Sequence, residues 1–373
     1  MNAFAMARRL MFCAAGLLAP VLHAQTALAP IQLATTAPFS GAFAEYGQEY
    51  RKGADACLAT INAAGGVRGR PVAISYLDDG YEPARAVANA RTLAGKGISA
   101  FVNLVGTGSL QALQPVLAEL KVPVVGVSSG ADLLREESLP GSRWVFHTKA
   151  GNGDEFEGFA RILPTIGMDR VALVYQDNPF GRAGLDSARK AFAGRPPAEI
   201  RLGDLPATVA EVQRAQPHAV VLIAAGQAAP AFIAAYQGAA GPGARVAVLN
   251  VVGGRVLTDQ LQDKVAGIMT SMLYPSPWNG ARRVVRDYQA SLARSGDASP
   301  SLLSLEGCIN LRFAVEALRA AGDDLSAAGV RKALERGLSL DLGDFTLALP
   351  PGKQVASRYT SLGIYRGNGR VME

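Results

Sequence analysis

The sequence predicts an α/β fold of two similar lobes, each a parallel sheet flanked by helices. Short apolar runs alternate with amphipathic segments from residue 31 onward, which is the pattern of repeated βαβ units. The alternation restarts at "RVALVYQD" (170–177), and the restart repeats a local motif, since "APFSGAFA" follows the first strand and "NPFGRAGL" the restarted one. A chain of 373 residues also favours two domains of ordinary size over one.

The first series contains four strand–helix pairs. Its predicted strands are "IQLATT" (31–36), "PVAISYLDD" (71–79), "SAFVNLVG" (99–106) and "VPVVGVSS" (122–129). Its predicted helices cover 45–66, 83–95, 109–120 and 131–138. Gly65 and Gly66 close the first helix, because glycine readily adopts the left-handed conformation that ends helices.

The second series is followed by a tail of different character. Its predicted strands are 170–177, 218–226 and 244–252, and its predicted helices are 179–194 and 227–241. From Trp278 to about Arg336 the pattern is mostly helical, and 344–351 and 358–372 are predicted strands. A tail that returns to complete the earlier sheets would make both lobes discontinuous in sequence.

The N-terminus has the pattern of a secretory signal peptide. "MARRL" supplies the basic segment, and 13 apolar residues, "LMFCAAGLLAPVL", follow it. We predict a signal peptide over 1–24 with cleavage after Ala24, and Ala29 is the alternative. The apolar stretch is too short to cross a bilayer, and no later one reaches about 18 to 20 residues, so we expect a soluble exported protein.

Three cysteines are present, and Cys13 lies within the predicted signal peptide. Exported chains can form disulfides, so Cys57 and Cys308 could be bridged. Both lie inside helical patterns far apart in sequence, and free cysteine is among the most buried residue types. We therefore predict two buried free thiols rather than a bridge.

The charge pattern argues against a nucleic-acid partner. The net charge is +6, but the arginines are scattered rather than gathered on one face with aromatic residues between them. The two histidines and two cysteines of the predicted mature chain fall at no metal-ligand spacing, so no metal is expected.

Two strand–helix loops carry hydroxyl side chains suited to an anion. Ligands of open parallel sheets bind beyond the carboxyl ends of the strands. There, "VGTGSLQ" offers Thr107 and Ser109, and "GVSSGADLL" offers Ser128 and Ser129, each at a predicted helix start where free amides favour negative charge. The alternative is that these residues are ordinary helix N-caps.

The stretches "SGAFAEYGQEYRKGADACLATINAAGGVRGRPVAISYLDDGYEPARAVANARTLA" and "LEGCINLRFAVEALRAAG" carry a family resemblance. With the signal peptide and the two-lobe plan, they resemble periplasmic solute-binding proteins of ABC importers, type I fold, of the leucine/isoleucine/valine-binding protein family. The resemblance implies a three-crossover hinge between a first lobe (25–148 plus 275–350) and a second lobe (149–274 plus 351–373). It also implies a periplasmic monomer without catalysis or cofactor, which delivers a small ligand to an inner-membrane permease.

The resemblance also implies site residues. In the amino-acid binders the tyrosine of S-G-x-x-A-x-Y-G reaches the ligand, and Tyr46 matches it. Serine or threonine hydroxyls and backbone amides grip the ligand carboxylate, and the aromatic residue before the glycine of the "PFG" loop, here Phe180, covers the ligand body. The matching carboxylate positions are Gly106, Thr107, Gly108, Ser109, Ser128 and Ser129. Near relatives often carry an aromatic residue where the crossover "HTKAGNGDE" has Asn152.

Two departures from the family make the ligand a carboxylate of unusual kind. In the amino-acid binders an acidic residue after a second-lobe strand pairs with the ligand ammonium. The matching stretch here, "LNVVGGRVL", has no acid, and Val252 or its neighbours take that place. The aromatic residue expected in the loop after the strand 218–226 is also missing, with Gly226 and Gln227 there instead. We expect an aromatic or branched organic acid. A branched-chain or aliphatic amino acid is the alternative, with the charge supplied from another loop by Glu45, Asp78, Asp79 or Asp177.

Two other functions remain as alternatives. Gly126-Val127-Ser128-Ser129-Gly130 matches the G-x-S-x-G elbow of α/β-hydrolases, and Asp177 and His218 follow in the hydrolase order. A binding module that reports to a sensor, rather than to a transporter, would need the same two lobes.

Overall fold

A computed structural model describes residues 28–241 and 245–373. The predicted signal peptide (1–24), Cys13 and the cleavage point at Ala24 lie outside the described residues. In the described part of the chain, no helix combines the length and the apolar character needed to cross a membrane.

The first sheet is fully parallel, with the strand order β2-β1-β3-β4-β5. Its strands are β1 (Ile31–Ala37), β2 (Val72–Asp78), β3 (Ala100–Leu104), β4 (Val124–Val127) and β5 (Val145–Phe146). The helices α1 (Ala44–Ala63), α2 (Pro83–Ala94) and α3 (Thr107–Leu120) connect them. The strands are short apolar runs, and β3 and β4 are buried along their whole length, as parallel strands covered on both faces should be.

The second sheet has seven strands in the order β14-β13-β10-β9-β8-β6-β7. Its strands are β6 (Val171–Gln176), β7 (Ala198–Leu202), β8 (Ala219–Ile223), β9 (Val246–Val248), β10 (Met269–Met272), β13 (Ser361–Tyr365) and β14 (Val371–Met372). Its helices are α4 (Asn152–Thr165), α5 (Pro179–Ala191), α6 (Leu205–Ala215), α7 (Ala228–Ala240) and α8 (Arg255–Leu261). Only β13, from the C-terminal tail, runs opposite to the other strands, and it pairs antiparallel with both β10 and β14.

The rest of the tail covers the first sheet. It contains α9 (Arg283–Arg294), α10 (Leu302–Ala321), α11 (Ala327–Glu335) and a separate hairpin of β11 (Leu338–Asp341) and β12 (Thr346–Leu349). Residues of α10 and of the hairpin share one buried core with β1, for example Phe313, Leu347 and Leu33. We call the first sheet with these helices and the hairpin the first lobe, and the second sheet with its helices the second lobe.

The chain crosses between the lobes three times, after β5, after β10 and after β12. The connections run side by side, because His147 N donates to Gln354 O at 2.6 Å and Tyr274 Oη donates to Thr148 Oγ1 at 3.1 Å. The expected two-lobe, three-crossover fold is thus confirmed. The domain boundaries at 148/149, 274/275 and 350/351 stay predictions.

The prediction of free thiols is wrong. Cys57 and Cys308 form a disulfide across a sequence separation of 251, with their Cα atoms 5.5 Å apart. The physical reason is the close approach of α1 and α10. A Cβ at Gly53 would overlap the Ser304 carbonyl, and one at Gly307 would overlap that of Tyr50, so these glycines bring the two backbones into contact.

Several element predictions also need correction. The predicted helix over 131–138 is a short 3-10 helix, Asp132–Arg135. The predicted strand at 344–351 is β12, which pairs with β11 in its own hairpin instead of completing the first sheet. The predicted strand at 358–372 is the β13–β14 pair, and it does complete the second sheet.

Candidate functional site

The carboxyl ends of the strands in the two lobes face each other across a cleft. The cavity there is mostly apolar, and about 20 Å³ of it is accessible to the centre of a water molecule. Its lining residues are Phe43, Tyr46, Tyr81, Val105, Gly106, Thr107, Ser128 and Ser129 from the first lobe, and Phe180, Ala225 and Val251 from the second. A space this small holds about one water, so a larger ligand requires separation of the lobes or rotation of a lining side chain.

The polar side of the cavity is a buried pair of hydroxyls. Thr107 Oγ1 lies 2.9 Å from Ser129 Oγ, and Gly106 N donates to Ser128 Oγ at 3.1 Å. The N-cap residue of α3 is Gly106, and no side chain caps this helix. Thr107 and Ser109 therefore do not act as N-caps of α3, the alternative role considered for them above. The hydroxyls can rotate to donate to an anion, and the first amides of α3 have no intrahelical acceptor.

Aromatic rings form much of the remaining lining. Phe43 stacks on Tyr81 with ring centroids 4.0 Å apart, and Tyr46 lies 6.1 Å from Phe43. Tyr81 has a left-handed backbone (φ 68°), which Asp79 supports by accepting a 2.8 Å hydrogen bond from Tyr81 N. Phe180 closes the cavity from the second lobe, at the start of α5.

Tyr46 connects the lobes directly. Its phenolic oxygen accepts a hydrogen bond from Gly226 N at 3.2 Å, and burial raises the pKa of Tyr46 well above its usual value, so the phenol stays neutral. Gly226 stands where the family resemblance led us to expect an aromatic residue. A Cβ at this position would lie 2.9 Å from Phe43 Cε1, so the glycine leaves room for an aromatic ring supplied by the first lobe.

Of the nine predicted site residues, the structure brings six together around the cavity and leaves three off its surface. Gly108 faces Pro179 across the cleft. A Cβ on Gly108 would lie 3.5 Å from Pro179 Cγ. Ser109 is buried behind the loop, and in the described part of the chain its hydroxyl has no hydrogen-bond partner. Asn152 begins α4, and its backbone N donates to Gly130 O at 2.6 Å.

Sequence reasoning missed five lining residues: Phe43, Tyr81, Val105, Ala225 and Val251. Phe43 lies three residues before Tyr46, within the same "GAFAEYG" motif, so helical spacing was a usable signal. Tyr81 lies in the loop after β2, at the carboxyl edge of the sheet. Val251 belongs to the "LNVVGGRVL" stretch in which no acid was found.

The four acids named as alternative partners for a ligand ammonium all have other partners, and none lines the cavity. Asp78 accepts from Phe39 N at 2.8 Å and pairs with Arg85 at 2.7 Å. Asp79 accepts from Thr36 Oγ1 at 2.9 Å as well as from Tyr81 N. Asp177 pairs with Arg182 at 2.6 Å on the surface, and Glu45 accepts from Val256 N at 2.6 Å.

The hydrolase residues are not assembled. Ser128 lies beyond the carboxyl end of β4 in the first lobe, where its hydroxyl accepts from Gly106 N. His218 precedes β8 at the amino end of the second sheet, and its Nδ1 accepts from Arg170 N at 3.4 Å. Asp177 is bound to surface arginines. A serine nucleophile needs its base within hydrogen-bond reach, and the described residues do not provide this.

Comparison with known proteins gives one family. A family model described as "Periplasmic binding protein" matches residues 30–357. The chain is 33% identical over 175 residues to the Leu/Ile/Val-binding protein homolog 3 of Brucella melitensis, an alignment that covers 46% of each chain. The chain thus spans about half the length of the curated relatives it matches.

Solved structures share the fold over nearly the whole chain. An extracellular ligand-binding receptor from Verminephrobacter eiseniae superposes with a TM-score of 0.85 at 25% identity, covering 92% of this chain and 100% of that one. A branched-chain amino acid ABC transporter protein from Thermus thermophilus with bound valine gives 0.80 at 17%, covering 93% and 95%. A solute-binding protein from R. palustris in complex with benzoate gives 0.79 at 19%, covering 92% and 95%.

Proposed function

Because the chain belongs to the periplasmic binding protein family, we propose that it is the solute-binding component of an ABC importer and that its ligand is a small carboxylate without an α-ammonium group. The ligand body is aromatic or branched. The protein acts in the periplasm, closes over one ligand molecule and delivers it to a permease in the inner membrane.

One observation carries the choice of ligand: the cavity pairs buried hydroxyls with aromatic rings, and no acidic side chain lines it among the described residues. An ammonium group buried without a partner costs several kcal/mol, more than an imperfect apolar fit. The hydroxyls of Thr107 and Ser129 and the free amides at the start of α3 suit a carboxylate. A ligand with a carboxylate and an apolar body satisfies both sides of the cavity.

The two solved structures with named ligands support this argument by contrast. The protein from Thermus thermophilus holds valine and the one from R. palustris holds benzoate, so one fold accommodates acids with and without an ammonium group. The lining residues must therefore determine the ligand class. Among the residues that the structure describes, the second lobe contributes Phe180, Ala225 and Val251 to the lining and no charged side chain.

The binding mechanism follows from the positions of these groups. The carboxylate is held by Thr107 and Ser129 in the first lobe, which can donate two hydrogen bonds once their mutual contact opens. The apolar body lies toward Phe180. Phe43 turns or moves aside to admit it, because the cavity beside that ring admits only about one water.

Calorimetry with matched pairs tests the ligand class. Phenylpyruvate is titrated against phenylalanine, and 4-methyl-2-oxopentanoate against leucine, since each pair shares a side chain and differs at the α-carbon. We expect the keto acid to bind more tightly in each pair. Tighter binding of the amino acids would show that an acidic side chain reaches the ligand after all, and would make the alternative, an aliphatic amino acid binder, the correct one.

A further inference from the structure

The first turn of α1 carries a second contact between the lobes, next to Tyr46. Glu45 Oε1 accepts a hydrogen bond from Val256 N at 2.6 Å, and Val256 is the second residue of α8 in the second lobe. The two lobes contribute one partner each, so the bond forms only when they are together. Separation of the lobes exposes the carboxyl group to water.

We propose that Glu45 is a proton-sensitive latch that holds the closed form, so that closure over the ligand is accompanied by uptake of a proton at this carboxyl group. The proposal rests on the proposed function, because it takes the closing of the lobes over a carboxylate as given. It adds a residue that lines no part of the cavity and controls affinity through the equilibrium between open and closed forms.

Glu45 is half-buried in the closed form, against Gly254 and Leu303. Glu45 Oε1 lies close to Gly254, only 3.1 Å from the point where a Cβ on that residue would stand. The Leu303 side chain lies 3.3 Å from the same point, so it packs beside the carboxyl group. The neutral phenols of Tyr46 and Tyr365 are also nearby, and burial raises the pKa of both. Half-burial among such groups penalises the charged carboxylate.

The charged groups that face Glu45 provide little compensation. Glu49 lies one turn further along α1, and Asp259 and Arg255 lie on α8. The Arg255 guanidinium is 3.9 Å from Glu49 Oε1 and 3.6 Å from Asp259 Oδ2, so its charge is shared between those two acids. Burial raises the pKa of Glu45 most, and the neighbouring carboxylates of Glu49 and Asp259 raise it further. The Val256 amide and Arg255 lower the pKa, and the net result is a pKa of about 7.

The direction of the pH effect follows from linkage. In the open form the carboxyl group is hydrated, and its pKa falls back toward about 4.3. The closed form therefore binds the proton more tightly. Closure gains stability as the pH falls from about 7, and the gain is lost as the pH rises through about 7. A ligand carboxylate stays ionised above about pH 5.5, so its own titration does not produce this trend.

Calorimetry with phenylpyruvate at pH 5.5 and pH 8 tests the latch, with buffers of different ionisation enthalpy to count protons. We expect phenylpyruvate to bind more tightly at pH 5.5 than at pH 8. The upper limit for the ratio of the two affinities is about 25-fold, for a fully desolvated carboxyl group, and solvent screening reduces it to a severalfold ratio. Proton uptake should approach about one per ligand near pH 6. Equal affinity at both pH values with no proton uptake would overturn the proposal.

Two variants separate the latch from other titrating groups. Glu45→Gln keeps an acceptor for the Val256 amide and cannot ionise, so its affinity should be the same at both pH values and should exceed that of the wild type at pH 8. Glu157→Gln, at an exposed position on α4, should retain the pH dependence of the wild type. A pH dependence that persists in Glu45→Gln would assign it to another group, such as Glu155, whose pKa burial raises to about 6.

A measurement without ligand keeps this test separate from that of the proposed function. If neither phenylpyruvate nor 4-methyl-2-oxopentanoate binds either protein, the proposed ligand class is wrong, and X-ray scattering of the ligand-free proteins decides on the latch. The wild type should then have a smaller radius of gyration at pH 5.5 than at pH 8, and Glu45→Gln should show no difference. A wild-type radius that is independent of pH would overturn the latch.

Discussion

Two hydroxyl groups account for most of the polar character of the candidate site. Thr107 and Ser129 come from consecutive strand–helix loops, and their side-chain oxygens meet at 2.9 Å inside the cleft. Because both are almost fully buried, each can reach a ligand without competing with bulk water. Their role can therefore be measured one hydroxyl at a time.

Thr107→Ala and Ser129→Ala should each weaken phenylpyruvate binding by roughly 1–3 kcal/mol, the range for a hydrogen bond to a charged group. Calorimetry at one pH measures the change. Thr92→Ala is the matched control, because Thr92 is exposed on α2 and its hydroxyl donates to Ala88 O of its own helix. Unchanged affinity in both site variants would remove the hydroxyls from the carboxylate site.

The sequence predicted the polar side of the cavity better than its aromatic side. Thr107 and Ser129 follow apolar strands directly, so the topology of a parallel sheet is enough to bring them to one edge. Where Phe43 and Tyr81 meet, Tyr81 has a left-handed backbone and Gly226 leaves space for Phe43 across the cleft. Neither condition has a periodic signal in the sequence.

Among the elements, α1 and α10 pack closely together in the first lobe. Gly53 and Gly307 let the backbones touch, and the Cys57–Cys308 disulfide joins the two helices. The bridge links residues that are 251 apart in sequence, so it restricts the unfolded chain over most of its length.

Replacing both cysteines, Cys57→Ala with Cys308→Ala, should lower the free energy of unfolding by about 2–5 kcal/mol, because the unfolded chain regains the entropy of the open loop. Urea denaturation followed by circular dichroism measures it. The wild type in excess reductant is the matched comparison and should lose a similar amount. A variant as stable as the oxidised wild type would show that the bridge contributes nothing.

Two strands that the sequence did not predict, β7 and β11, share a physical cause. In β7 only Ile200 is buried, and in β11 only Leu340 is, so neither strand forms an apolar run. Their pairing partners, β6 and β12, supply the hydrogen bonds. The disulfide was missed for a related reason, because sequence separation says nothing about the distance between two helices.

At the scale of the whole molecule, a buried ion pair ties the connection after β5 to the first lobe. Lys149 lies just after His147 and Thr148, and its Nζ is 2.8 Å from Glu306 Oε1 on α10. The two side chains are 2% and 0% exposed, so neither charge is compensated by water.

Glu306→Gln should destabilise the protein by about 3–5 kcal/mol, because it removes the carboxylate that is directly paired with the buried Lys149 ammonium. The double variant Lys149→Met with Glu306→Leu removes both charges and should cost less than the single change. Thermal unfolding of the three proteins checks the order. A double variant that is less stable than Glu306→Gln would contradict this view of the pair.

X-ray scattering measures most directly whether the two lobes close over one small carboxylate. The radius of gyration is compared without ligand and at a ligand concentration that calorimetry has shown to be saturating. The ligand-free protein should have a radius of gyration of about 20 Å, as expected for a compact chain of this length. Saturation with one equivalent of phenylpyruvate should reduce it, because the ligand stabilises the closed form. An unchanged radius at proven saturation would contradict closure of the lobes over the ligand.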